Sequence, residues 1–447
     1  MLWFLLYGLI LTAAAVYEYR RSASSEAYFL NGRRSKAHQV GFSIIASCVG
    51  GSATVGMSGL AFEAGTPAAW WLLSGAAGLV LLRVFMLPKV REAKTALTMP
   101  EIIRSRIGGS AHRLTCLIIL IAWTAILAAQ FSAMGRILEG LTGMTSFTCL
   151  AAGAILIVLY TWLGGQAAVI KSDVVELTVM SAGLAALLAA LVTINPEPLA
   201  FVDFDVVNET FTGGDLAQFL LLIGGSYIVC PMLFARLMSA ESDKAARRGT
   251  DIGIAGIVLC AVVITALGIE ARAFVPAGTE GDAVLSTLVA GMPAWAAVAF
   301  FFVMASAILS SADSCLITAA TVAANDIFKT TSPKACRRFV LLVAAAAFAL
   351  SATGKSVLGL LLSANTMYTC AVVAPIFVTL AFSRPLNPRA AALTTAAAGI
   401  LALTSELTGH GWLAWAAAAV SVAGSLGALE KEGGGAPEAD AVPIRRP

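Results

Sequence analysis

Apolar stretches of about 17–30 residues follow one another along nearly the whole 447-residue chain. Such stretches read as membrane-crossing helices, because a backbone in hydrocarbon must satisfy its own hydrogen bonds. The expectation is an all-α polytopic membrane protein. Composition agrees: 59% of residues are hydrophobic and only 12% are charged, about half the charge of a soluble domain. About thirteen spans are expected, at 2–17, 39–65, 67–90, 113–141, 146–163, 167–194, 216–239, 250–274, 295–327, 335–353, 355–382, 388–406 and 410–428. No room remains for a soluble domain of ordinary size.

Charge placement orients these spans. Arg20, Arg21, Arg33, Arg34 and Lys36 fill one loop, and Lys89 to Arg113 the next but one. Lys244, Arg247 and Arg248, then Lys329 to Arg338, then Arg384 and Arg389 continue the alternation, while the intervening loops are poor in Lys and Arg. The 195–215 loop has neither and carries Glu197, Asp203, Asp205, Glu209 and Asp215. With thirteen spans the positive-inside rule places the N-terminus outside and the C-terminus in the cytoplasm. The first apolar run has no basic residue before it and Arg20-Arg21 after it, so it reads as a retained span in the cytoplasmic membrane. The net charge of +3 gives no reason to expect a nucleic-acid partner. The eight cysteines show no paired spacing, and most sit within or beside apolar runs, so no disulfide framework is expected. His38, His112 and His410 sit near expected span ends, form no zinc motif and read as interfacial residues. No nucleophile–base pairing is visible, so an enzyme is not expected.

Polarity gathers where it is costly. The run 295–327 is apolar, yet its middle holds Ser310, Ser311, Asp313 and Ser314. An ionised Asp near the bilayer centre costs about 2.5–3.5 kcal/mol on the mildest scale, so it faces a partner or a cavity. Ala307, Ser310, Ser311 and Ser314 fall at i, i+3, i+4 and i+7, one helical face. Three hydroxyls beside a carboxylate form an oxygen-rich surface suited to a small hard cation such as sodium. The plainer alternative is that the serines serve helix packing.

Two other spans look interrupted. One carries Gly50-Gly51-Ser52; another carries Gly224-Gly225-Ser226 and then Pro231. Such breaks at corresponding places in two halves mark helices that line a binding site, and five spans per half require the second half to be inverted. The chain then divides into an extra span with its basic loop (1–38), a first repeat (39–194), an external acidic loop (195–215), a second repeat (216–382), two further spans (383–428) and a Gly-, Pro- and Glu-rich tail (429–447), expected to be disordered.

Four stretches carry a resemblance. They are EAYFLNGRR at 26–34, SIIASCVGGSATVGMSGLAFEAG at 43–65, YTWLGGQAAVIKSDVVE at 160–176 and AILSSADSCLITAATVAAND at 307–326. Together they resemble the sodium:solute symporter family of sodium-coupled sugar, proline, pantothenate, choline and sialic acid carriers. The resemblance implies a leucine-transporter-type fold of five-plus-five inverted repeats. It also implies a main sodium site from the carbonyls of Ala46, Val49 and Ala307 with the hydroxyls of Ser310 and Ser311. Some members bind a second sodium, and the matching residues here are Asp173, Ser310, Asp313 and Ser314. Asp173 stands beside Lys171 and has an interfacial ion pair as its plain alternative. Glu176 stands where relatives often carry Gln; it reads as structural or as a group that takes up protons.

A solute is expected beside the two breaks. The candidates are Cys48, Gly50, Gly51, Ser52 and Ala53, then Trp71, Ser74, Gln130, Ser226, Tyr227, Asn365 and Tyr368. Gln130 and Asn365 lead, because an amide in hydrocarbon needs partners. Free backbone amides at a half-helix start would favour an anionic group. Sugar carriers place Glu and Gln where Ser52 and Ala53 stand, and proline carriers place Asp where Cys48 stands, so neither solute is favoured. No Arg or Lys is expected at midplane, with Arg83 and Arg136 toward helix ends. The expected function is sodium-coupled symport of a small amino acid, zwitterion or organic acid by a monomer in the bilayer. A proton-coupled carrier using Asp173, Glu176 or Asp313, or a non-transporting solute sensor, are the alternatives; the tail after 428 is short for a signalling extension.

Overall fold

The computed structural model describes Val16 and residues 25–195, 197–200, 203–354 and 356–430. The expected span at 2–17, Val16 apart, and the tail after 430 lie outside the described residues. Among the described residues the chain is helical, with extended pairing confined to two isolated bridges, Ser35–Ala240 and Leu386–Leu429. We number the helices α1 (Ser25–Leu30), α2 (Ala37–Cys48), α3 (Ser52–Ala64), α4 (Thr66–Glu92), α5 (Met99–Thr142), α6 (Ser146–Ile194), α7 (213–228), α8 (Pro231–Ser239), α9 (Asp243–Ala273), α10 (Gly281–Ala290), α11 (Ala294–Ile327), α12 (Pro333–Ser351), α13 (Val357–Ala381), α14 (Pro388–Thr408) and α15 (Trp412–Gly427). By length and composition, eight helices among the described residues suffice to cross a membrane, and the bent pair α2 and α3 makes a ninth span.

Two helices run further than their apolar cores suggest. The loop expected over 89–113 becomes helix from Met99 onward. Thr98 caps that start by accepting from the Glu101 N–H at 3.3 Å, and Pro100 occupies the first turn. The helix bends at Gly108, where φ is +78°. α6 holds 49 residues, which if straight would reach about 74 Å, far beyond a hydrocarbon core of about 30 Å. It folds at Gly165, in a left-handed conformation with φ +63°, so the expected spans at 146–163 and 167–194 are two arms of one hinged element. A side chain there would strain the backbone and overlap the Tyr28 ring at 2.6 Å.

The interruptions lie slightly off the glycines. α2 ends at Cys48, Val49 leaves helical geometry (φ −103°, ψ 72°), and Gly51 is helical again; the two halves meet at 57°. The glycines serve close approach instead. A Cβ on Gly50 would overlap the Ser311 hydroxyl and meet Gln130 Oε1 at 2.8 Å, and one on Gly51 would overlap Ala133. In the second half, Gly224-Gly225-Ser226 is unbroken helix. The break falls at Val229, which leaves helical geometry, and Cys230, which is extended, immediately before Pro231. Proline disfavours helical geometry in the residue before it and opens a new helix well. Gly78 lets α4 touch α7, because a Cβ there would overlap the Gly224 carbonyl, and a Cβ on Gly224 would meet the Ser74 carbonyl at 3.0 Å.

α11 runs through the middle of the bundle, packed by α2, α5, α6 and α12. Every residue from Val303 to Ala324 is buried. A helix that is apolar all round needs such a position, and it turns the serine stripe toward protein.

Candidate cation and solute site

The non-helical turn at Val49 frees carbonyls at the end of α2, and α11 presents its hydroxyls to them. Ser310 Oγ donates to Ala46 O at 3.0 Å and to Ala307 O at 3.0 Å; Ser311 Oγ donates to Ala46 O at 3.0 Å and to Ser47 O at 3.1 Å. Ala46, Val49 and Ala307 are fully buried, and Ser310 and Ser311 nearly so. Ala46, Ala307, Ser310 and Ser311 thus converge on one point, with Val49 at the break beside them. Hydroxyls that share one carbonyl can rotate their protons away and offer lone pairs to a cation instead. The donor set is neutral oxygen throughout, which fits a small monovalent ion better than a divalent one.

About one turn further along α11 lies a charged cluster that the sequence showed only in part. Arg236 of α8 is fully buried. Its Nη2 lies 3.6 Å from Asp173 Oδ2, and donates to Ser47 Oγ at 3.0 Å and to Ser314 Oγ. A basic residue thus lies within the core, one that the sequence reading of Arg83 and Arg136 does not consider. Asp173 is fully buried too, and it pairs across the bundle with Arg236. Ser43 donates to Asp173 Oδ2; Tyr160 donates to Asp313 Oδ2; Ser314 Oγ lies 3.2 Å from Asp313 Oδ1 and 2.8 Å from Ser310 O. One carboxylate oxygen each from Asp173, Glu176 and Asp313 lies within 4.8 Å of the others, and both Glu176 oxygens are buried with no hydrogen-bond partner among the described residues. Arg236 went unnoticed in sequence because it sits in the last turn of an apolar span, where arginines usually extend to the interface. The carboxylate Asp173 was the available signal, since a buried carboxylate implies a cation.

Beside the hydroxyl pair is a cavity of about 60 Å³, room for a few waters. Of the expected solute residues, Cys48, Gly50, Ser52, Trp71, Gln130, Ser226, Tyr227 and Asn365 line it; Gly51, Ser74 and Tyr368 do not. Ser47, Trp123, Cys230 and Cys315 line it without having been singled out. Ser74 is fully buried, and its hydroxyl has no partner among the described residues. The Tyr368 hydroxyl donates to the Val229 carbonyl and its ring stands edge-on to Trp123 at 4.8 Å, so it holds the second break rather than facing the cavity. The Gly51 N–H, expected to be free for an anion, is bound by Gln130 Oε1 at 2.7 Å. Ala53 is buried and away from the cavity wall.

The sequence pattern of the sodium:solute symporter family matches residues 28–396. The chain belongs to the sodium:solute symporter family. Membership bears out the resemblance seen in the four motif stretches. The chain is 28% identical over 238 residues to a sodium/pantothenate symporter of Haemophilus influenzae, covering 50% of this chain and 49% of that protein. It is 25% identical over 286 residues to a sodium/proline symporter of Staphylococcus aureus, covering 61% and 56%. The matched stretches thus span about half the length of these relatives. A solved Na+-coupled sialic acid symporter, in a substrate-bound outward-open state described as revealing a novel Na+ site, superposes with a TM-score of 0.77 at 16% identity. That likeness covers 95% of this chain and 96% of the other. The family member described here therefore has the leucine-transporter-type helical fold, as a multi-pass membrane protein, and the relatives it matches are named as transporters.

Proposed function

We propose that the chain is a sodium-coupled symporter that imports a small polar organic solute by alternating access. The observation that carries this reading is the meeting of the Ser310 and Ser311 hydroxyls with the Ala46 carbonyl at the helix break. Sodium bound among these oxygens would hold α2 against α11 and close the cavity wall, where Ser311 also stands. Coupling follows from that shared wall: whatever factor sodium adds to solute affinity, solute adds to sodium affinity. Each sodium entering gains about 2.3 kcal/mol per 100 mV. The relatives' names, pantothenate, proline and sialic acid carriers, support a small organic solute as the class. A cavity of about 60 Å³ requires side chains to part for any of these. With Gln130 Oε1 engaged by Gly51, its amide –NH2, Asn365, Ser52 and the Trp123 indole N–H, which has no partner among the described residues, are polar handles on the cavity wall for the solute. The repeats proposed are 39–194 and 216–382, with the N-terminus outside, the C-terminus in the cytoplasm and the cytoplasmic membrane as location.

At the second position the guanidinium of Arg236 already supplies a cation to Asp173 and Ser314, which favours one sodium per cycle at the main site. The proton-coupled reading rests on one observation: three buried carboxyls face a single guanidinium, and a low-dielectric interior resists two excess negative charges. A thermal-shift screen of the purified full chain against amino acids, zwitterions and sugar acids, in sodium or in potassium, tests the choice. Sodium-dependent stabilisation lost in Ser311→Ala supports the main reading. Uptake into proteoliposomes that proceeds without sodium contradicts it, and uptake driven by a pH gradient alone selects the proton.

A further inference from the structure

A second constellation lies apart from the sodium and solute site. His112 and Cys116 stand one turn apart on α5, so both face the same way. Across from them is Asp326, near the end of α11. All three are buried: His112 is 1% exposed, Cys116 0% and Asp326 3%. Of the three histidines this one is buried, while His38 and His410 are exposed. One ligand atom from each lies within 4.8 Å of the others. His112 Nε2 is 3.6 Å from Asp326 Oδ1 and 3.7 Å from Cys116 Sγ. With zinc bonds of about 2.3 Å to sulfur and 2.0–2.1 Å to nitrogen or oxygen, the edges of a tetrahedral site measure about 3.3–3.6 Å. These separations lie within a few tenths of an ångström of a tetrahedral edge, and since Cys116 Sγ is also 3.8 Å from Nδ1, a rotation of the imidazole is what aims one nitrogen at the ion.

Three further observations point the same way. Asp326 Oδ2 is buried with no hydrogen-bond partner among the described residues, an open acceptor that a native interior normally fills. Asp326 lies in the wide-turn segment Val322–Ile327, where the Phe328 N–H reaches back to Ala323 O at 3.0 Å. Such wide turns shift side chains off the phase of the preceding helix and gather at functional sites. The Asn325 amide lies 3.5 Å from Asp326 Oδ1 and 3.3 Å from Glu101 Oε2, supporting the carboxylate from outside.

We propose that His112, Cys116 and Asp326 form a binding site for a divalent transition ion of the zinc class. Charge fits the location: thiolate and carboxylate against a dication, with neutral imidazole, sum to zero, which a buried site favours. The ligand types also fit, since thiolate and imidazole select zinc-like ions over magnesium or calcium. Entry is short, because Phe328 and Lys329, two and three residues past Asp326, are exposed. The bound ion ties α5 to the end of α11, the helix that carries the sodium-site serines.

Cobalt(II) titration of the purified full chain in detergent tests this. The expected result is a thiolate-to-cobalt charge-transfer band that saturates at one equivalent per chain and is displaced by zinc. Cys149→Ser, which removes another buried cysteine, keeps the band; Cys116→Ser loses it; His112→Gln raises the dissociation constant at least about ten-fold. X-ray absorption of the zinc-loaded unsubstituted protein, which needs no variant to fold, shows one sulfur at about 2.3 Å with the remaining ligands nitrogen or oxygen. No band and no retained zinc in the unsubstituted protein overturn the proposal, as does a band undiminished in Cys116→Ser.

Discussion

At the residue scale, the cost of a buried charge decides which side chains matter. Arg236 and Asp173 are both fully buried and face each other at 3.6 Å. Removing one partner strands the other in a low-dielectric core, which costs about 3–5 kcal/mol. Arg236→Met is therefore expected to lower the midpoint of thermal unfolding in detergent sharply. The double variant Arg236→Met with Asp173→Asn recovers part of the loss, because Asp173 no longer carries an unpaired charge, while Glu176 and Asp313 still lose the guanidinium they face. Ser311→Ala behaves differently. It removes one oxygen from the proposed ion and leaves a small apolar group in a position Ala tolerates. The folded protein persists, and the sodium concentration for half-maximal stabilisation rises about ten-fold or more, the loss of one charge-assisted oxygen contact. An unchanged sodium dependence in Ser311→Ala would remove that hydroxyl from the site.

At the element scale, the breaks are held by packing around them. Tyr368 on α13 donates to the Val229 carbonyl, an acceptor left open where α7 ends. Tyr368→Phe keeps the ring against Trp123 but leaves that buried carbonyl unsatisfied, a cost of about 1–3 kcal/mol. It is expected to reduce stability without altering which cation stabilises the protein, and a melting curve in sodium and in potassium reads both. Gly78 shows the same logic between whole helices. A Cβ there overlaps the Gly224 carbonyl, backbone that cannot swing aside, so Gly78→Ala separates α4 from α7 and opens the cavity wall that Trp71 and Tyr227 share. Expression and monodispersity of Gly78→Ala, beside the tolerant site Gly109, where a Cβ meets nothing within 4 Å, give the comparison.

At the scale of the whole molecule, the proposed orientation is open to direct labelling. All eight cysteines are buried, so an introduced thiol stands out against a quiet background. Asp205→Cys is expected to react with an impermeant maleimide on intact cells, and Arg247→Cys only after permeabilisation; the reverse pattern would invert the topology. The same molecule shows how far a linear reading extends. The helical class, most span positions and the serine stripe were legible, because hydrophobic runs and an i, i+3, i+4, i+7 spacing are local properties. Gly50 and Gly51 were legible as special, though their role is close approach to α5 and α11 and the chain turns at Val49. Arg236, the pairing of Asp173, the withdrawal of Tyr368 and Ser74 from the cavity, and the meeting of His112 and Cys116 with Asp326 were not legible. Each depends on groups dozens to hundreds of residues apart, and on which side of a fully buried helix faces which neighbour. Sequence by itself determined that the chain forms apolar helices with one oxygen-rich stripe, since the bilayer permits little else. Tertiary structure alone decided what that stripe meets, because inside a bundle the partner of a polar atom is chosen by packing across the fold and leaves no trace in local spacing.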